Sequence, residues 1–200
     1  MKVIRLVVVA VGGQGNLLAS RILGEASMRS NISVHMNEIH GMAQRGGVVE
    51  SSLVFGDASS SIISDGEADI LLSFEPSEAL RALKKCSKNS IVITNRFPLP
   101  PFTVMIGKGK YPDMNIVTEC IQSKVRQFIS LDAVDIAMQA GNPLSVNMVL
   151  LGALMATNIL PLSIDHVLES ITLRTKKEFV QANIQAFNLG YSQTKQSVIQ

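Results

Sequence analysis

Residues 3–15 read VIRLVVVAVGGQG, and this stretch decides the fold. β-Branched valine dominates residues 3–11, and their apolar run at residues 6–11 is typical of a strand buried on both faces of a parallel sheet. The run ends in a glycine turn at residues 12–15, and the apolar spacing that follows predicts an amphipathic helix over residues 16–30. A strand, a glycine turn and a helix in this order form the first unit of an α/β fold.

Length and composition fit one α/β domain of ordinary size. The chain has 200 residues, of which 46% are hydrophobic and 17% charged, with a net charge of +2. It is too apolar to be disordered and too nearly neutral for a basic nucleic-acid surface. No apolar run approaches the roughly 20 residues that a membrane span requires. We therefore expect a cytoplasmic protein that binds neither nucleic acid nor membrane.

Strands and helices continue to alternate after the first helix. Strands are predicted over residues 32–38, 48–55, 68–73, 90–95, 102–106 and 128–131. Helices are predicted over residues 77–85, 112–127, 132–139, 146–157, 163–170 and 176–189, the last one ending at Gly190. The pattern predicts a Rossmann-like open, mostly parallel sheet flanked by helices, with a helical C-terminal third. We expect a single domain over residues 1–192 and a polar, frayed tail over residues 193–200.

The two cysteines, Cys86 and Cys120, are far apart in the sequence and form no CxxC pair. A Cys-ligated iron–sulfur cluster needs four thiolates, and three histidines add too little for a structural zinc site. We therefore expect no metal site on this chain. Both cysteines are interpreted as small buried hydrophobic residues.

The glycine turn is the first candidate binding site. Gly12, Gly13, Gln14 and Gly15 precede a helix N-terminus, where free backbone N–H groups and the helix dipole attract anions. Glu38 lies roughly twenty residues further on, where a dinucleotide-binding fold places its ribose-binding acid. The alternative is that the glycines only allow the helix and strand to pack closely.

The second candidate site is the run EIHGMAQRGG at residues 38–47. It follows a predicted strand and joins it to a strand expected to be parallel, at a sheet edge where α/β proteins bind ligands. Its candidate contacts are His40, Gln44, Arg45, Gly46 and Gly47. Arg45 suits a phosphate or carboxylate, although an ordinary surface loop is the equal alternative. No Ser or Cys stands beside His40 in the sequence, and we predict no catalytic residue in this chain.

A third feature begins with GNP at residues 141–143 and continues as an apolar helix that contains Gly152. Asn142 and Asn147 are its candidate site residues. The small residue permits close helix packing, in the core or against a partner chain. Three cations in the C-terminal third of the chain are interpreted as helix-capping or partner-facing charges: Arg174, Lys176 and Lys177.

Taken together, these motifs resemble one family. GGQG after a valine-rich strand, EIHGMAQRGG at residues 38–47 and NMVLLG at residues 147–152 are similar to the gamma-type subunits of the 2-oxoacid:ferredoxin oxidoreductases. The HGMAQRGG form is most similar to the beta subunit of the indolepyruvate type. The resemblance covers most of residues 3–154 and, more loosely, the C-terminal helices, with Ala10 where the family often has glycine.

The resemblance implies a non-catalytic subunit that is inactive alone. Complexes of this family oxidatively decarboxylate a 2-oxoacid to an acyl-coenzyme A on thiamine diphosphate, and iron–sulfur clusters pass the electrons to ferredoxin. The larger partner subunit carries the thiamine diphosphate and the clusters, so this chain would hold no tightly bound cofactor. Its two loops would face the partner or an anionic cofactor such as coenzyme A, and without the partner it would self-associate through exposed apolar surface.

The sequence also fits other interpretations. The chain fits the gamma subunit of a pyruvate- or oxoglutarate-type ferredoxin oxidoreductase. The glycine turn and Glu38 also fit a free-standing dinucleotide-binding enzyme or a regulatory nucleotide-binding module.

Overall fold

A computed structural model of the chain describes residues 2–41, 47–100, 104 and 106–198. Its strands are β1 (Ile4–Val11), β2 (Val34–His40), β3 (Val48–Phe55), β4 (Ala68–Ser73), β5 (Cys86–Asn95) and β6 (Gln127–Leu131). Its helices are α1 (Asn16–Arg29), α2 (Pro76–Ala82), α3 (Met114–Lys124), α4 (Ala133–Gln139), α5 (Val146–Ala156), α6 (Ile164–Arg174) and α7 (Val180–Val198). In this described part of the chain the strands form one sheet in the order β2-β3-β1-β4-β5-β6.

The sheet is mixed, with a parallel block and an antiparallel hairpin. β1, β4, β5 and β6 pair in parallel, whereas β3 pairs antiparallel with both β1 and β2. The α/β class and the mostly parallel sheet are confirmed. The expectation that residues 38–47 join two parallel strands is wrong, because a connection this short cannot make the crossover of a dozen or more residues that parallel strands need. β2 nevertheless points in the same direction as β1, so both strands end at the same edge of the sheet.

Alternate side chains of β1 enter two separate cores, which explains the uninterrupted valine run. Leu6 and Val8 pack in the larger core, under α1 and the helices from α4 to α7. Val7 and Val9 pack in the smaller core, against α2 and α3. All four side chains are buried, as expected for a central strand covered on both faces.

Two glycines bring the backbones of α5 and α7 into direct contact. A Cβ atom on Gly152 would collide with the backbone carbonyl of Phe187, and one on Gly190 would collide with that of Val149. The predicted helix end at Gly190 is therefore wrong. This glycine lies inside α7 and serves packing, and the helix continues beyond it with Thr194 buried.

The structure also bears on the predictions for the two cysteines, for a strand over residues 102–106 and for membrane-spanning segments. Cys86 is buried as expected, but Cys120 is exposed because it lies on the solvent side of α3. Of the strand predicted over residues 102–106, only Val104 and Ile106 are described, and neither is in a strand. None of the described helices is long and apolar enough to cross a bilayer. The single domain over residues 1–192 stays a prediction.

Candidate functional site

The glycine turn and both ends of the EIHGMAQRGG run meet at one edge of the sheet. The Gly12 N–H donates to the carbonyl of Gly47 at 2.8 Å, and the Gly41 N–H donates to the carbonyl of Val48 at 2.8 Å. The chain after β2 therefore returns beside the turn that follows β1. Gln44, Arg45 and Gly46 lie outside the described residues.

A cavity of about 540 Å³ opens at this edge. Gly12, Gly13 and Gly15 line it from the turn, and His40 lines it from the end of β2. Its remaining lining residues are Val11, Asn16, Leu17, Leu18, Arg21, Val49 and Arg174. Helix α1 begins at this cavity with no acidic side chain in its first turn. Its N-terminal N–H groups thus add positive potential here.

The charged side chains around the cavity also favour an anion. Arg21 is exposed and forms no ion pair with any described residue. Arg174 donates from Nη2 to Oε2 of Glu25 at 2.5 Å, and this hydrogen bond lowers the pKa of the Glu25 carboxyl. With the exposed imidazole of His40 nearby, the cavity has the chemistry to hold a phosphate or a carboxylate.

The two amide side chains of the turn are engaged inside the fold. Gln14 accepts from the N–H of Val11 at 2.8 Å through Oε1 and donates to the carbonyl of Phe74 at 3.3 Å through Nε2. It therefore ties the end of β1 to the end of β4. This engagement leaves the backbone of the turn, and not the Gln14 amide, as the part that faces the cavity.

Asn16 is the centre of a buried hydrogen-bond network below the turn. Its Nδ2 donates to the carbonyls of Val8 and Val49, at 3.3 Å and 3.1 Å. Its Oδ1 accepts from the hydroxyls of Ser20 and Ser51, at 3.1 Å and 3.0 Å. The network locks the first turn of α1 onto β1 and β3.

The glycines of the turn have different roles. Gly15 has φ +88°, and a Cβ atom there would lie 2.6 Å from Nδ2 of Asn147, so this glycine allows α5 to pack against the turn. Gly13 has φ +98°, and a Cβ atom there would meet only open space. Close packing thus explains Gly15, whereas the backbone at Gly13 is open to a ligand.

Asn142 and Asn147 lie in an adjoining groove of about 270 Å³. The groove shares Leu18 and Arg174 with the larger cavity, so the third sequence feature lies beside the first two. The Asn142 Oδ1 accepts from the N–H of Leu144 and caps a short 3₁₀ helix. The binding roles of all these residues stay predictions.

Glu38 lies away from the position of a ribose-binding acid. β3 separates β2 from β1, so Glu38 is two strands, about 10 Å, from the strand that carries the glycine turn. It pairs with Ser51 of β3 and does not line the cavity. In a dinucleotide-binding fold the strand with the acid is the direct neighbour of β1. The hairpin insertion therefore removes the support that Glu38 gave to the dinucleotide interpretation.

Glu75 organises the same edge of the sheet at the end of β4 and is fully buried. Its carboxyl accepts from the N–H groups of Leu99 and Glu78, from the Ser77 hydroxyl and from the Tyr111 hydroxyl. Burial and the neighbouring Glu75 raise the pKa of Tyr111. This carboxyl fixes the chain that follows β5 against α2.

Sequence reasoning did not single out Asn16 and Arg21 of the cavity or Glu75 at the end of β4, and it interpreted Arg174 only as a helix-capping or partner-facing charge. Asn16 directly follows the glycine turn, and Glu75 follows a buried strand and precedes a proline, so both had a local signal as a helix-start residue. Arg174 reaches the site through the packing of α6 on α1, which no local pattern shows.

Comparison with known proteins identifies the family of this chain. The chain belongs to the Pyruvate ferredoxin/flavodoxin oxidoreductase family, which it matches over residues 5–193. The resemblance inferred from the sequence motifs is confirmed.

Relatives and solved structures agree with this assignment. Indolepyruvate oxidoreductase subunit IorB of Methanothermobacter thermautotrophicus is 42% identical over 190 residues, covering 95% of this chain and 97% of the relative. The IorB of Pyrococcus horikoshii is 39% identical over 198 residues, 98% of each chain. A keto/oxoacid ferredoxin oxidoreductase gamma subunit from Geobacter sulfurreducens shares the fold with a TM-score of 0.68 at 22% identity, over 96% of this chain and 98% of that chain. 2-Oxoglutarate:ferredoxin oxidoreductase from Magnetococcus marinus matches 98% of this chain and 32% of its own, with a TM-score of 0.75 at 18% identity.

Proposed function

We propose that this chain is the small, non-catalytic subunit of an indolepyruvate:ferredoxin oxidoreductase complex. The observation that carries the proposal is its 38–42% identity, over nearly the full length, to IorB subunits from four organisms. The complex would oxidatively decarboxylate an aryl 2-oxoacid to an acyl-coenzyme A. Thiamine diphosphate and the iron–sulfur clusters would reside in the larger partner subunit, and ferredoxin would meet the complex there, in the cytoplasm.

The cavity at the glycine turn would then serve assembly or coenzyme A binding rather than the chemical step. Its polar lining includes the guanidinium groups of Arg21 and Arg174 and the imidazole of His40, and the side-chain amides of Gln14 and Asn16 hold the strands together. This set can bind and orient an anion. A carboxylate of the partner or a phosphate of coenzyme A is the group that we assign to it.

The alternatives receive less support. A free-standing dinucleotide-binding enzyme would need an acid beside β1, and Glu38 is two strands away. A pyruvate- or oxoglutarate-type gamma subunit would share this fold, but a solved pyruvate oxidoreductase subunit from Thermotoga maritima and the 2-oxoglutarate enzyme are 22% and 18% identical to this chain. The greater identity to the IorB subunits favours indolepyruvate as the substrate.

The test is to co-express this chain with the larger subunit of its own organism and to purify the pair without oxygen. We expect a stable complex that reduces ferredoxin with indolepyruvate and coenzyme A, and turns over pyruvate and 2-oxoglutarate much more slowly. Faster turnover of pyruvate or 2-oxoglutarate would favour the other gamma types. A chain that purifies alone with a bound nucleotide would contradict the proposal.

A further inference from the structure

The far edge of the sheet, at β6, has a free row of backbone groups. β6 pairs with β5 on one side, and no other described strand pairs with it. The Leu131 carbonyl accepts from the N–H of Arg96 on the β5 side, at 2.8 Å. Because alternate residues of a strand bond to opposite sides, Phe128 and Ser130 present their N–H and C=O groups to the free side.

This edge lacks the features by which proteins protect exposed strands. The sequence of β6 is QFISL, with no charge, proline or glycine, and its pairing with β5 shows no bulge. The opposite edge strand, β2, carries His35, Glu38 and His40. An uncharged, regular edge strand is a template for pairing with another chain.

A groove of about 370 Å³ runs along the free edge. Every residue of β6 lines one side of it, and the other walls are formed by Arg96, Asp132, Asp135, Ile136, Gln193 and Thr194. The strand edge and the two helices α4 and α7 therefore enclose a channel that follows β6. Peptide-binding domains that add a strand to their sheet receive the ligand in a groove of this kind.

A buried hydroxyl in this groove lacks a hydrogen-bond partner. Thr194 of α7 is 2% exposed, and its Oγ1 forms no hydrogen bond to any described residue. A buried hydroxyl without a partner is costly, and native proteins pair most such groups. Thr194 is therefore a second, independent indication that the groove is incomplete in the isolated chain.

We propose that the groove receives one extended segment of the larger partner subunit, which adds a seventh strand beside β6. The segment would exchange backbone hydrogen bonds with Phe128 and Ser130. It would place an apolar side chain on Ile136 and a neutral polar side chain on the Thr194 hydroxyl. This inference rests on the proposed function, because it takes the occupant from that partner.

A second copy of this chain fits the groove less well. The side chains of Ile129 and Leu131 are both only 8% exposed, since they pack in the core of their own molecule. A second β6 at the edge could not turn these side chains toward Thr194. A foreign strand has its side chains free, so it can fill the channel.

The first test uses the complex with the larger subunit and two variants at one position. Ser130→Pro removes the outward N–H, and edge strands tolerate proline when the N–H points away from the sheet. Ser130→Ala changes the side chain and keeps the N–H. We expect Ser130→Pro to weaken the affinity for the larger subunit at least tenfold, and Ser130→Ala to leave it within twofold. Equal affinity of Ser130→Pro and the wild type would overturn the inference.

The second test is Thr194→Val, which stays informative if Ser130→Pro does not fold. We expect the isolated variant to melt at the same temperature as the wild type or higher, because an unpaired buried hydroxyl has been removed. We expect its affinity for the larger subunit to fall severalfold. An unchanged affinity would overturn the inference.

Amide hydrogen exchange separates the possible outcomes. In the complex, we expect the amides of Phe128 and Ser130 to exchange at least tenfold more slowly than in the isolated chain. Unchanged exchange in a complex that does form would overturn this inference and leave the proposed function standing. If the wild-type chain does not bind the larger subunit, the proposed function fails as well. Protection that grows with the concentration of the isolated chain would show that a second copy occupies the edge, which also overturns the inference.

Discussion

At the scale of single residues, the site depends on polar side chains that bind the protein itself. Asn16 and Gln14 hold the backbones of β1, β3 and β4, and the glycine turn keeps its shape because of them. The turn was predictable from its glycines, since few other residues make such a turn. It was not predictable that the side chains of Gln14 and Asn16 point into the fold, because their direction depends on β3 lying beside β1.

Replacing Asn16 with alanine should destabilise the chain strongly. The change leaves two buried carbonyls and two buried hydroxyls with one partner fewer, and each unpaired buried group costs about 1–3 kcal/mol. We expect the free energy of unfolding to fall by about 3 kcal/mol in urea titrations. Asn115→Ala, on the exposed side of α3, is the matched control and should change it by less than about 0.5 kcal/mol. Equal effects of the two variants would contradict the network.

The buried thiol of Cys86 should make the stability of the chain fall at alkaline pH. Burial raises the pKa of this thiol from its ordinary value near 9 to about 11. The folded state therefore holds the proton more firmly than the unfolded state. The protonated thiol contributes up to about 2–3 kcal/mol to the free energy of unfolding. This contribution is complete below pH 9 and is lost as the pH rises through 11.

The measurement is the free energy of unfolding from pH 8 to pH 11. We expect the difference in stability between wild type and Cys86→Ala to shrink over this range. Cys120→Ala removes the exposed thiol and should keep the full pH dependence of the wild type. If the difference in the free energy of unfolding between wild type and Cys86→Ala stays constant from pH 8 to pH 11, the raised pKa of the Cys86 thiol is contradicted.

At the scale of elements, the strands and helices of the chain were mostly visible in the sequence, but their connections were not. The bounds of β3 and β4 match the prediction because both are short runs between turn residues. The antiparallel direction of β3 could not be read from such a run, because a strand covered on both faces has the same composition in either direction. Gly190 has the sequence context of a helix stop, and only the contact with Val149 shows its packing role.

The contact of α5 with α7 should make Gly152 intolerant of any side chain. Gly152→Ala would push its Cβ into the Phe187 carbonyl, which is backbone and cannot move away alone. We expect a loss of about 2–3 kcal/mol in the free energy of unfolding. Gly24→Ala is the matched control in α1, because the obstacle there is the flexible tip of Met36 and alanine favours the helix. A Gly152→Ala variant as stable as Gly24→Ala would contradict the close contact.

At the scale of the whole molecule, the family was accessible from the sequence and the site only in part. The EIHGMAQRGG run carried the resemblance, which the family match over residues 5–193 confirms. The cavity combines the turn after β1, the end of β2 and the end of α6. Arg174 is far from the other lining residues in the sequence, so only the folded chain could show that it belongs with them.

The cavity should bind an anion that matters to the complex and not to the fold. We expect Arg21→Gln to leave the melting temperature unchanged, because Arg21 is exposed and unpaired among the described residues. It should raise, about tenfold, either the dissociation constant for the larger subunit or the KM for coenzyme A, since a charge-assisted hydrogen bond is worth about 1.5–3 kcal/mol. Lys88→Gln makes the same charge change at the exposed start of β5 and should alter neither constant. If Arg21→Gln behaves like Lys88→Gln, the cavity has no such ligand.

The central claim is that this chain assembles with a larger catalytic subunit and carries no chemistry of its own. The most direct measurement is anaerobic reduction of ferredoxin with indolepyruvate and coenzyme A by this chain alone, by the larger subunit alone and by an equimolar mixture. We predict full activity only in the mixture, saturating when the two chains are equimolar. Turnover by this chain alone, or full activity of the larger subunit without it, would contradict the claim.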